Sequence, residues 1–286
     1  MVHLATYRRR LTRLLKGSRN AQQELARISK ALRSKSDIVL VHTCGKVGST
    51  AMHAAIASLR KVACLQTHFI SPDGITTARA DHANLGQDPW HLHVGERIGQ
   101  ELAIHPQRPV KIVTSVRDPI ARAISNLFEN PELTTGRADL ETLPMGKLAA
   151  LAEEQVAASL NYMETWFDTE LAYLLGDNLL NRPFQAASGF CAYPDDRRGL
   201  FVVKLESLDD ALAAALAEFL GQPKPLRIPM RRSRSNTPDA GLYTQLHARL
   251  SLPETLVTKV YSSRLCRHFY SEAEIVRFSK RWTARS

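Results

Sequence analysis

At 286 residues, 44% of them hydrophobic and 23% charged, the chain can bury one large α/β core but hardly two. No run approaches the roughly 20 continuous apolar residues of a bilayer span. The opening MVHLATYRRRLTRLLKG lacks the apolar stretch and small-residue cleavage site of a secretory signal, so a cytoplasmic protein is expected.

The formal net charge of +10 would suit a nucleic-acid binder if it were spread over the chain. It is not. Ten of the lysines and arginines fall within residues 1–37, against Glu24 and Asp37, so residues 1–36 read as a basic arm and 37–286 as a nearly neutral domain. In the arm Leu4, Tyr7, Leu11, Leu14 and Leu15 recur at helical spacing with arginines between them. Such a helix can lie on an anionic membrane surface (making the protein peripheral at the inner membrane), dock on a partner, or pack on its own domain. The pattern leaves these open, and it leaves the oligomeric state unknown. One aromatic residue in the arm and no basic stripe in the body argue against nucleic acid as a partner. The cysteines, Cys44, Cys64, Cys191 and Cys266, form no CxxC pair, which points to four buried thiols rather than a zinc site or a disulfide framework.

In chain order, DIVLVHT (37–43) is a β-branched run without helical period, suited to a buried parallel strand. STAMHAAIASLR (49–60) follows as a helix and KVACLQT (61–67) as a second strand. A polar region holding Gly74 and Pro89 leads to a helix over 95–104, and PVKIVTSV (109–116) is the third strand. Asp118-Pro119 sets an N-cap before a first-turn proline, opening a helix through Phe128. Residues 129–146 read as irregular and 147–176 as helix in two pieces, a helical insertion over about 130–176. GLFVVKL (199–205) is a fourth strand, Ser207 opens the next helix, and Ser271 with Glu274 forms a capping box for the last. The alternation predicts right-handed βαβ units, hence a three-layer α/β domain of the P-loop type around a central parallel sheet.

CGKVGSTA (44–51) lies between the first strand and the first helix of the domain. Gly45 and Gly48 permit backbone angles that a β-carbon would hinder. The N–H groups of Gly48, Ser49 and Thr50 would point at an anion, assisted by the helix dipole. In a nucleotide-triphosphate loop the hydroxyl that holds magnesium follows the lysine directly. Here Val47 follows Lys46, and the hydroxyls of Ser49 and Thr50 come later. At the end of the third strand, RDPIARAIS places Arg117 and Ser125 eight residues apart, with Arg122 and Ser125 on one helical face. Arginine forks and a serine hydroxyl converging at that sheet edge suit a second phosphate.

Together CGKVGSTA and RDPIARAIS resemble the sulfotransferases that use 3′-phosphoadenosine 5′-phosphosulfate (PAPS). In that superfamily a KxGTT-like loop binds the 5′-phosphosulfate and an RxPxxRxxS segment grips the 3′-phosphate. VVKLESLDDALAAALAEFLG is similar to the strand–EDL–helix segment of the same family, and THFISPDGI, WFDTEL and VYSSRLCRHFYSEAEI resemble a bacterial-type group of capsular polysaccharide synthesis proteins. The likeness runs over roughly residues 38–282, with Ser49 where many members carry threonine. The resemblance implies an enzyme with PAPS as co-substrate and a carbohydrate hydroxyl as acceptor. Gly45, Lys46, Val47, Gly48, Ser49, Thr50, Arg117 and Ser125 would hold the nucleotide. MRRSRSNT (230–237) matches the family's basic segment loosely and offers Arg231, Arg232, Arg234 and Asn236 as further contacts or as a solvated basic loop.

Sulfuryl transfer needs alignment and a cation on the leaving phosphate. Lys46 supplies the cation, so no metal is called for. The acceptor hydroxyl needs a base, and His68, in QTHFIS, is the first candidate. It resembles the histidine of the family's KTH segment, although Gln66 does not cleanly match the lysine. His93 and the carboxylates Glu164, Asp168 and Glu170 beside Trp166 are the alternatives, with Trp166 either stacking on a sugar or filling a helix core. Two other classes stay open: a nucleotide-dependent kinase, and a non-catalytic binding protein with a basic arm.

Overall fold

The computed structural model describes residues 22–137, 139–229 and 239–283. Five strands form one sheet: β1 (Asp37–His42), β2 (Val62–Thr67), β3 (Lys111–Val116), β4 (Phe190–Tyr193) and β5 (Leu200–Lys204), in the order β2-β1-β3-β5-β4. β1, β2, β3 and β5 run parallel, and β4 pairs antiparallel with β5 at one edge. The sequence had shown no strand at 190–193.

The strands are apolar on both sides, and this dictates the layering. Ile38, Leu40, Ile112, Leu200 and Val202 point into one core, while Val39, Val41, Val113, Phe201 and Val203 point into a second. The second core is closed by Met52 and Ile56 of α2 (Ser49–Ala57) and by Leu212 and Leu216 of α9 (Asp210–Phe219). The first is closed by α4 (Trp90–Ile104), α5 (Pro119–Glu129), α7 (Met145–Trp166) and the C-terminal helices. Two helical layers around one sheet make the three-layer α/β fold.

Residues 22–33 form α1, which buries Ile28 and Leu32 in the first core and pairs Arg33 with Glu101 at 2.8 Å. The arm's leucine stripe falls in residues 1–21, outside the described residues. Between β2 and β3 the chain forms α3 (Pro72–Ala83), capped by Ser71, where the sequence reading saw only a polar region. The later segment folds as α6 (Pro131–Thr135) and α7, which continues through a π-helical turn, Phe167–Leu171, into α8 (Ala172–Leu175). The helix after β5 opens at Asp209, whose side chain accepts from Leu212 N, so Ser207 is not the cap. Leu205–Ser207 is a short 3-10 turn instead. α10 (Ala240–Arg249), α11 (Glu254–Tyr261), α12 (Arg264–Phe269) and α13 (Glu272–Trp282) complete the chain, and the Ser271–Glu274 capping box is formed. Cys44 and Cys266 are buried, but Cys64 and Cys191 are only partly so. Among the described residues no helix is long and apolar enough to cross a membrane.

Candidate functional site

Parallel pairing of β1 with β2 puts His42 beside Thr67, so Thr43 and His68 leave the same carboxyl edge together. β3 brings Arg117 to that edge. The 44–48 loop turns here, with positive φ at Gly45 (77°), Lys46 (59°) and Gly48 (87°). The φ of 87° is what calls for glycine at 48; a β-carbon there would also lie 2.5 Å from Leu205 Cδ1, a flexible side-chain tip that would have to shift.

The loop carbonyls are all engaged. Cys44 O accepts from Arg122 Nη2 (3.1 Å) and Tyr162 Oη (3.3 Å), and Gly45 O accepts from Arg122 Nε (3.3 Å). Lys46 O accepts from Arg117 Nη1 (3.1 Å), Val47 O from Ser115 Oγ (2.8 Å), and Gly48 O from the N–H groups of Ala51 and Met52. No such partner among the described residues takes the N–H groups of Val47, Gly48, Ser49 or Thr50. A turn with its carbonyls tied back and N–H groups open at a helix N-terminus has the geometry that suits an anion. Ser49 is buried and its hydroxyl accepts from Gln66 Nε2 (3.1 Å), whereas Thr50 is exposed. The Lys46 ammonium meets Glu129 Oε2 at 2.9 Å.

The arginines take roles that the spacing alone did not reveal. Arg122, expected with Ser125 at a second phosphate, is 4% exposed, sits over the Tyr162 ring (4.9 Å) and holds the loop from behind. Its fork fits two loop carbonyls, so loop and RDP helix are one unit. Ser125 is buried on the same helix. Asp118 is locked by Tyr261 Oη (2.8 Å) and Trp282 Nε1 (2.9 Å), and its N–H donates to Glu206 Oε1 (2.7 Å). The C-terminal helices thereby fix the turn that carries Arg117. Arg234 and Asn236, with Arg231 and Arg232, lie outside the described residues.

His68 stands against the loop. Its Nδ1 is 2.7 Å from Thr43 O, and since a carbonyl only accepts, Nδ1 carries the proton and Nε2 the lone pair. Nε2 lies 3.8 Å from where a β-carbon on Gly45 would be. Burial, with Arg122 and Lys46 nearby, holds His68 below the ordinary histidine range, so the ring is neutral near pH 7. His93 faces Asp88 (2.8 Å) and stacks on Trp90 instead. The histidine beside His68 is His91, with ring centroids 6.4 Å apart, held down to about 4 by burial and by His68 and His82. The pattern WHLH contained it, one helical face away from His93.

The carboxylates proposed as alternative bases are engaged elsewhere. Asp168 forms a two-pronged pair with Arg264 at 2.6 and 2.7 Å, and Glu164 lies 3.5 Å from Leu265 N. Glu170 is 1% exposed and accepts from Ile70 N (2.6 Å), Ser71 N (3.0 Å) and Ser71 Oγ (2.7 Å). Trp166 is buried core whose Nε1 donates to His68 O at 2.8 Å, so it offers no face to a sugar.

Residues 142–271 match the family described as "Putative capsular polysaccharide synthesis protein". The match covers less than half of the chain, taking in Trp166, Glu170, Lys204 and Glu206 but neither the 44–48 loop nor His68. No curated protein and no solved structure matches the chain.

Proposed function

We propose that the protein is a PAPS-dependent sulfotransferase that moves a sulfuryl group onto a carbohydrate hydroxyl. The observation that carries this reading is the 44–48 loop, whose carbonyls are tied while the N–H groups from Val47 to Thr50 meet no partner among the described residues, with His68 Nε2 set against Gly45. The open amides and Lys46 suit the 5′ end of the nucleotide, and Arg117 with Ser125 suits the 3′-phosphate. The similarity of residues 142–271 to a capsular polysaccharide family supports a carbohydrate acceptor.

In this reading the acceptor oxygen bonds to sulfur while the bond from sulfur to the bridging phosphate oxygen breaks. The acceptor proton passes to His68 Nε2, and the electron pair of the broken bond stays on the phosphate, where Lys46 and the loop amides oppose its charge. The Nδ1–H of His68 stays on Thr43 O, which orients the ring and supports the imidazolium as it forms.

The test is incubation with labelled PAPS and a panel of glycans. Label should appear on a glycan. Lys46→Ala should lose both transfer and nucleotide affinity, whereas His68→Ala should lower turnover by on the order of 100-fold with affinity nearly unchanged. The absence of both transfer and adenosine 3′,5′-bisphosphate binding by the wild type would overturn the reading. Preference for ATP with magnesium would favour a kinase.

A further inference from the structure

We propose that Trp166 and Glu170 are positioning residues that act through His68, clamping the backbone from His68 to Ser71 so that Nε2 meets the 44–48 loop in one geometry. This rests on the reading of His68 as the base.

The clamp is visible when the polar backbone atoms of this segment are followed one by one. His68 O accepts from Trp166 Nε1 at 2.8 Å. Phe69 O accepts from Thr67 Oγ1 (2.7 Å), and Phe69 N donates to the same oxygen (3.4 Å). Ile70 N and Ser71 N donate to Glu170 Oε2, the Ser71 hydroxyl donates to Glu170 Oε1, and Ser71 O accepts from Ile75 N (3.0 Å). Glycines let the neighbours close in. A β-carbon on Gly95 would lie 1.9 Å from Phe69 O, and one on Gly74 would lie 1.7 Å from Glu170 Oε1.

Trp166 and Glu170 are only four residues apart, at the start of and within the π-helical turn Phe167–Leu171. A π turn rotates the side chains after it relative to a regular helix, which is why such turns recur at functional sites. Here both polar ends reach one short segment of a distant strand end. Capping α3 alone does not call for this, since Ser71 Oγ already accepts from Gly74 N (3.0 Å). Burying Glu170 also raises its pKa above the usual carboxylate range despite its three donors, so the contact opposes a desolvation cost. Nδ1 is held on Thr43 O and the main chain by Trp166 and Glu170, so the His68 ring is anchored from both sides. A base must lie within about 3 Å of the proton it takes, and a misplacement of about 1 Å can cost up to 100-fold in rate.

The experiment uses Trp166→Phe, which keeps an aromatic ring but removes the donor, in the full chain. Turnover should fall about tenfold with the Michaelis constant and the bisphosphate affinity within about twofold of wild type. Imidazole nitrogen NMR should show His68 changing from one tautomer to a mixture. The double variant Trp166→Phe/His68→Ala should be no slower than His68→Ala alone, because the tryptophan acts only through the histidine. Effects that multiply in the double variant, or an unchanged His68 tautomer in Trp166→Phe, would overturn the proposal. Glu170→Gln provides a second variant with the same expectations. The NMR result stands independently of turnover, so a wild type that transfers nothing sinks the base assignment while the clamp is still decided by the tautomer.

Discussion

The segments that follow β1 and β2 leave the same sheet edge side by side, yet they treat their backbone in opposite ways. In residues 44–48 every carbonyl is tied to a side chain or to α2, and the N–H groups from Val47 to Thr50 are left open towards the edge. In residues 68–71 the N–H groups from Phe69 onward are taken within the protein, two of them by one buried carboxylate. Buried or half-buried amides do not go without partners cheaply. On the function proposed above, the first segment receives an acceptor from outside, and the second holds still. His68, of the second segment, is turned onto the first, its Nε2 3.8 Å from where a β-carbon on Gly45 would be.

A single methyl group placed in the first segment, or pressed against the second from α4, should separate these roles most strongly. Gly48→Ala forces a φ of 87° on alanine and sets its β-carbon against a flexible leucine tip. It should cost about 1–3 kcal/mol in stability and on the order of 100-fold in bisphosphate affinity. Gly95→Ala drives a β-carbon into the carbonyl of Phe69, which as backbone cannot move aside. It should lower the melting temperature by at least several degrees, with affinity in the folded fraction close to wild type. Calorimetry and thermal melts on the two variants check this, and equal loss of affinity in both would erase the distinction.

The clamped side should also show itself in acid. His42 is fully buried behind the segment, its ring tilted at 40° against Trp166 with centroids 4.9 Å apart, and burial pushes it down to about 3 from an ordinary 6.5. Between those values the unfolded chain binds a proton that the folded protein refuses, so stability is lost as pH falls below about 6.5. Urea midpoints should drop progressively from pH 7 to pH 5. His42→Gln, which can still donate to Thr67 O, should flatten the slope; an unchanged slope would move the acid sensitivity elsewhere.

A smaller effect belongs to the open side. Glu129 competes for the Lys46 ammonium at 2.9 Å. Glu129→Gln should tighten bisphosphate binding by about two- to fivefold at low salt, and less as salt rises. Weaker binding would mean that the carboxylate aids the loop rather than opposing it.

The open side was the legible one. Glycine, proline and cap residues write their conformations locally, so the 44–48 turn, the Asp118-Pro119 helix start and the Ser271–Glu274 box could be read from neighbours in sequence. The parallel strands were readable too, because both faces are apolar. The clamp was not. Glu170 meets Ile70 a hundred residues away, and Trp166 meets His68 at a similar remove, pairings that leave no local period. The same holds for Arg122, where spacing gave the helical face but not the loop carbonyls it would find. α3 was missed although Ser71-Pro72-Asp73 carries a cap, a first-turn proline and an acid, because its residues are too polar to show an apolar stripe.

The central claim is that the open loop and the Arg117–Ser125 edge together receive a nucleotide bearing two separated phosphate groups. Calorimetric titration of the full chain with adenosine 3′,5′-bisphosphate and with adenosine 5′-monophosphate, both in EDTA, tests it most directly. The account predicts that the bisphosphate binds at least about tenfold more tightly and that Arg117→Ala removes most of that difference. Equal affinities, or no binding of either nucleotide, would contradict it.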